Sequence, residues 1–250
     1  MDFTIRMYTE LLQAMQAAGY SFSTLEAFLR NPTPNTFILR HDVDAMPQNS
    51  LAFAQIQHSQ NIRGVYYFRA TSGSWNDRII RQIADMGHEV GYHYECLTTC
   101  KGNKELAILD FEKNLTALRR LAPVSTICMH GSPMSKYDSK DLWKTYSYSD
   151  FDIVGEPYLD VDFSKVAYLT DTGRRWDGHK VSVRDKVNAG FNHPFRSTAD
   201  LIAGLKNKQL SSQVMFTFHP QRWNNNPIYW LQELVFQKTK NVVKQYFYVK

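Results

Sequence analysis

Cysteine is scarce in this chain, and its scarcity removes two kinds of scaffold. The 250 residues hold only Cys96, Cys100 and Cys128. Three thiols form no even disulfide framework, and no second pair completes the zinc knuckle that Cys96 and Cys100 would begin. Free thiols in a reducing compartment are the expectation. Long apolar runs are missing too: nowhere do about eighteen apolar residues follow one another, which excludes a helical membrane span. The opening MDFTIRMYTELLQAMQAAGY carries polar residues every few positions and no apolar h-region. No secretory leader is therefore expected, and the expected compartment is cytoplasmic. The net charge of +5 comes from lysines and arginines spread along the chain, without a basic stripe, so nucleic acid is not an expected partner. Internal repeats, low-complexity segments and linkers are absent as well, and residues 1–250 read as one domain.

What is present is an ordinary globular composition, 43% hydrophobic and 21% charged, at a length suited to one α/β barrel. Apolar residues at Ile5, Tyr8, Leu11, Leu12 and Met15 predict a helix over 4–18. After the break Asn31-Pro-Thr-Pro-Asn35, strand and helix patterns alternate. Strands are predicted near 36–41, 63–68, 88–93, 124–130, 151–155, 166–171 and 213–219. Helices are predicted near 47–60, 77–86, 104–121, 138–146, 197–206 and 227–246. This alternation argues an α/β class with a mainly parallel sheet, open or closed into a barrel.

In such folds functional side chains gather where strands end. Four predicted strands end in unusual chemistry: Arg40-His-Asp-Val-Asp44, Gly91-Tyr-His-Tyr-Glu95, Met129-His-Gly-Ser-Pro133 and Phe218-His-Pro-Gln-Arg222. Asp42 and Asp44 share a side on an extended strand. Two carboxylates so close need a cation or a shared proton between them. A metal satisfies this, one Asp ligating and the other taking a proton from water. The alternative is that the pair caps the next helix; Arg40, His41 and the other histidine-bearing strand ends favour a site. His93 shares the pocket with Asp44 as a ligand, whereas His88 fits a structural role. His219 reads as a general acid or base from the opposite rim, or as a buried histidine bonded to backbone. The segment Asp171-Thr-Gly-Arg-Arg-Trp176 offers a carboxylate, guanidinium groups and an indole to a sugar or nucleotide, or is a solvated turn with Trp176 packed inward. Asp171, Arg174, Trp176 and Arg40 are the candidate substrate contacts. His58, His179 and His193 receive no role.

From about Phe37 to Trp223 these motifs resemble the polysaccharide deacetylase superfamily (carbohydrate esterase family 4 and relatives). That resemblance implies a distorted (β/α) barrel of about seven parallel strands. It also implies an aspartate pair, Asp42 as catalytic base and Asp44 as metal ligand. Gly87-His-Glu-Val-Gly91 matches the family's lead-in to its metal histidines, and His93 matches the first of them. The second falls at Leu97, which cannot bind metal. His130 and Pro133 stand where the third motif carries arginine and proline, His219 matches the terminal acid, and Asp171 the carboxylate that orients the machinery. Zinc sites use three protein ligands, so His130 is expected to replace the lost one, with Glu95 as its rival. The expected function is removal of an N-acetyl group from an amino sugar in a glycan or glycan precursor by a divalent metal, zinc first. The alternatives are a non-catalytic carbohydrate-binding relative, or hydrolysis of another non-peptide C–N bond.

Overall fold

The computed structural model describes residues 1–132, 135–177, 187, 190–191 and 195–247. Pro133, His179 and His193 lie outside them. Strand β2 (Thr36–Val43) is the centre of the sheet and is buried along its whole length. Its parity divides two cores. Ile38 packs with Val65, Tyr67, Cys128 and Met215 inside the curl of the sheet. Phe37, Leu39 and Val43 join the larger cluster beneath the helices. A strand covered on both faces reads as a nearly continuous apolar run, as TFIL does. Arg40 and Asp42 share the parity of Ile38, so the same alternation turns two charges into the interior.

Around β2 lie β1 (Ser21–Ser23), β3 (Val65–Phe68), β4 (Glu89–Tyr94), β5 (Ile127–Met129), β6 (Ala167–Thr170) and β7 (Gln213–Phe218). The order is β5-β4-β3-β2-β7-β6, with β1 on the start of β2, and every pairing is parallel. The sheet curls into a distorted barrel that stays open, among the described residues, between β5 and β6. Helices α1 (Ile5–Ala17), α2 (Leu25–Arg30), α3 (Pro47–Ser59), α4 (Asp77–Asp85), α5 (Cys96–Thr99), α6 (Lys104–Arg119), α7 (Pro157–Asp160), α8 (Thr198–Lys206) and α9 (Pro227–Phe247) complete the order. Several of them start at capping side chains the sequence supplies at the right place. Asn76 accepts from the Ile79 amide at α4, Asn103 from Leu106 at α6, and Ser197 and Asp200 form a capping box at α8. Helix α6 then buries Ala107, Phe111, Leu115 and Leu118, one stripe at helical spacing.

Two expectations fail. The strand predicted near 151–155 does not form: Phe151 ends a 3-10 turn, Tyr148–Phe151, and Asp152 follows in a left-handed conformation. Only Gly155 bridges the sheet, to Thr126. The apolar pair Ile153 and Val154 was too short to override the serines and aspartates before it. Conversely, β1 (Ser-Phe-Ser) is too short to stand out as a pattern, and it pairs because the start of β2 offers a free edge. The helix predicted near 138–146 is a 3-10 stretch, Ser139–Lys144.

The motif Gly87-His-Glu-Val-Gly91 has a packing cause. Gly87 has φ +82° in the turn after α4, and a Cβ on Gly91 would overlap the Tyr67 ring inside the barrel. His88 bridges the Gly64 amide and the Ala54 carbonyl, the structural role expected of it.

Because every strand is parallel, all six main strands deliver their ends to one rim. The first residue beyond each is polar: Asp44 after β2, Arg69 after β3, Glu95 after β4, His130 after β5, Asp171 after β6 and His219 after β7.

Candidate functional site

Asp44 stands at the middle of this rim. Its Oδ2 accepts from the Gln221 amide at 3.3 Å. Its Oδ1 is buried without a hydrogen-bond partner, 3.7 Å from His93 Nε2 and 3.5 Å from His130 Nε2. The helix-capping reading fails, since the N-cap of α3 is Met46 and no side chain caps it. Burial acts to raise the Asp44 pKa, but His130, His219, His93 and Arg69 around it hold the carboxyl well below its usual range.

Both histidines are oriented from behind. His93 Nδ1 lies 2.9 Å from the Cys128 carbonyl, which only accepts, so Nδ1 carries the proton and Nε2 presents a lone pair. Burial pushes the His93 pKa down to about 4, so the ring is neutral at pH 7. His130 Nδ1 lies 2.9 Å from Glu95 Oε2 and 3.0 Å from Ser132 Oγ. Glu95 in turn accepts from Arg69 Nη2 at 2.6 Å and Nε at 3.0 Å. Burial opposes ionisation of Glu95, yet its bond to His130 and the charges of His130 and Arg69 bring its pKa to about 2. An ionised Glu95 takes the Nδ1 proton of His130 in a hydrogen bond and frees Nε2 toward Asp44. Two imidazole lone pairs and an unpartnered carboxylate oxygen therefore face one another, a donor set that fits a divalent cation.

Asp42 is one layer deeper. Arg40 grips both of its oxygens, Nε to Oδ1 at 2.8 Å and Nη2 to Oδ2 at 2.7 Å. Asp42 Oδ2 is 3.6 Å from His93 Nε2, so both aspartates reach the same ring. Asp42, His93 and Cys128 also form a compact buried trio whose donor atoms lie within 4.8 Å of one another. Arg40 already pairs with Asp42 in this inner trio and would repel a cation placed there.

On the other flank, His219 Nδ1 lies 2.6 Å from Asp171 Oδ1, and its backbone amide donates to Oδ2 at 2.9 Å. Arg222 and the Trp223 indole donate to the same carboxylate at 2.9 and 2.7 Å. Although burial opposes it, the charges of His219 and Arg222 lower the Asp171 pKa. Held this way, His219 keeps Nε2 as its free nitrogen.

The four candidate substrate contacts need correction. Arg40 is only 1% exposed and serves Asp42, and Asp171 is fully buried beneath His219. Trp176 packs inward against Phe216, Phe218 and Trp223 and donates to Thr198, leaving no face for a sugar. Arg174 lies over the rings of Phe3 and Trp230 and donates to the Trp230 carbonyl at 3.2 Å. His41, on the outer parity of β2, belongs to a buried network with Tyr8, Gln57 and the Val65 carbonyl. Sequence reading missed Arg69 and Gln221. Their signal was position alone: Arg69 follows the strand VYYF at once, and Gln221 is two residues beyond His219.

No protein-family model and no curated protein matches the sequence. Solved structures of similar shape include a CE4 family pseudoenzyme from Bacillus anthracis at 13% identity and TM-score 0.44, covering 86% of this chain and 63% of that one. They also include a family 4 carbohydrate esterase from Streptomyces lividans in complex with acetate, at 12% identity and TM-score 0.40, covering 85% and 91%. A third is the Xyl-CE4 domain of a multidomain xylanase from the hindgut metagenome of Trinervitermes trinervoides, at 10% identity and TM-score 0.39, covering 84% and 83%. This chain spans less than two thirds of the pseudoenzyme's length. The resemblance to polysaccharide deacetylases rests on the motif residues that meet around Asp44.

Proposed function

We propose that this chain is a metal-dependent N-deacetylase of an amino sugar, with Asp44, His93 and His130 holding a divalent ion, zinc the first candidate. The observation that carries the reading is the orphaned Asp44 Oδ1, buried and facing two Nε2 atoms whose rings are oriented from behind. A divalent ion there supplies Lewis acidity toward an acetyl carbonyl and acidifies water. Asp42, oriented by Arg40 through both of its oxygens, takes the proton of the attacking water. His219, steadied by Asp171, gives a proton to the departing amine as the C–N bond breaks, and acetate and the free amine result. The test is acetate release from N-acetylated oligosaccharides and nucleotide sugars by the zinc-loaded protein. Release that a chelator stops and zinc restores supports the reading. No release from any of them by protein that binds zinc stoichiometrically rejects it.

One observation favours a second reading, a carbohydrate-binding relative that lost the reaction. Arg40 engages both oxygens of Asp42, so the carboxylate that would accept the water's proton is already occupied by a partner. Under this reading sugars bind without turnover.

A further inference from the structure

Helix α9 presents a face that nothing else in the described structure uses. Ile228, Tyr229, Leu231, Val235 and Phe236 are between 53% and 67% exposed. With roughly 100° of turn per residue, these five fall within one arc of roughly 160°. Between residues 228 and 240 the others on that arc are Gln232 and Thr239, so no charged residue of this stretch belongs to it, and Lys240 beside it lays its Nζ 4.0 Å over the Phe236 ring. Contiguous exposed apolar patches of this kind mark interaction surfaces. The inner side of α9 is fastened elsewhere: the Trp230 indole donates to the Asp2 carbonyl at 2.6 Å, Arg174 lies 4.6 Å over its ring, and Gln237 is buried. The apolar arc therefore points outward because the other side is already in use.

The charges say what it meets. Lys238 and Lys240, both exposed, fall just beyond the two borders of the arc, one on each side. Residues 227–250 hold four lysines, Lys238, Lys240, Lys244 and Lys250, against the one acidic residue Glu233. A second copy docking face to face would bring these lysines together with too few carboxylates to answer them. An anionic lipid surface answers both features. Apolar and aromatic side chains enter the headgroup boundary while border lysines stay at the phosphates. We propose that α9 lies on anionic membrane surfaces as an interfacial helix. It does not cross them, and no described helix is long and apolar enough to do so.

The test is sedimentation of the full chain with phosphatidylcholine vesicles, with and without phosphatidylglycerol. The protein should pellet with the anionic vesicles only, and less as salt rises. Leu231→Asp with Phe236→Asp should weaken binding by at least about tenfold. Lys238→Gln and Lys240→Gln should each cost about fivefold. Unchanged melting temperatures show that these variants are folded. The proposal fails if the folded parent stays in solution with anionic vesicles, or if the double variant binds as the parent does. It also fails if the parent is a dimer that Leu231→Asp with Phe236→Asp dissociates, since the arc would then serve a second copy.

Discussion

Replacing Glu95 by Gln isolates what lies behind the third ligand. In the native site one oxygen of Glu95 meets Arg69 at 2.6 and 3.0 Å, and the other meets His130 Nδ1 at 2.9 Å. In Glu95→Gln one of these oxygens becomes an NH2 donor. Turned toward Arg69 it opposes two other donors; turned toward His130 it opposes the Nδ1 proton. Either way the imidazole loses its anionic partner or the carboxamide loses its anchor. Such outer partners are worth about 10–100-fold in metal affinity, which is about 1.4–2.7 kcal/mol. Competition for zinc against a chromophoric chelator measures this without any substrate, and Glu95→Asp should recover part of the loss. If Glu95→Gln binds zinc within about twofold of the parent, Glu95 does not orient His130. If it loses zinc as fully as His130→Ala does, Glu95 is a ligand and the assignment is inverted.

Further outcomes follow from the same geometry. Asp42→Asn should keep zinc and lose acetate release, and loss of zinc equal to that in Asp44→Asn would remove the division between the two. His219→Ala should lower kcat by roughly a hundredfold or more with zinc retained, whereas a near-normal kcat makes His219 a structural partner of Asp171. Arg40→Met strands the buried Asp42 charge and should cost about 3–5 kcal/mol in chemical denaturation. Adding Asp42→Asn should recover much of it, and a loss under about 1 kcal/mol in the single variant argues against the buried pair. His41 is pushed by burial to about 3, far below its ordinary value. The unfolded chain therefore binds this proton first as pH falls, so the contribution of His41 to stability is fully present above about pH 6.5 and is lost between there and about pH 3. Thermal unfolding of the metal-free protein should show this slope, and His41→Gln should flatten it; an equal slope in both would assign it elsewhere.

The alternation of apolar runs was legible because parallel strands buried on both faces leave a strong mark, as in GVYYF and VMFTF. Asp44, His93, His130 and His219 were legible for a related reason: a polar residue ending an apolar strand is conspicuous. The short β1 and the false strand near 151–155 were not, since three-residue pairings depend on a neighbour's free edge rather than on their own pattern. Parity explains the misread contacts. Arg40 on the inner face of β2 and Trp176 against Trp223 look alike in sequence to exposed sugar-binding groups. Only the direction of the side chain separates a guanidinium that serves a neighbouring carboxylate from one that meets a ligand.

The central claim, that Asp44, His93 and His130 hold one divalent ion, is tested most directly by zinc titration of the parent beside Asp44→Asn, His93→Ala, His130→Ala and Cys128→Ala. The account predicts one tight equivalent in the parent and in Cys128→Ala, and its loss in the other three. Binding that survives in Asp44→Asn and His130→Ala but disappears in Cys128→Ala would contradict it and move the ion to the inner trio of Asp42, His93 and Cys128.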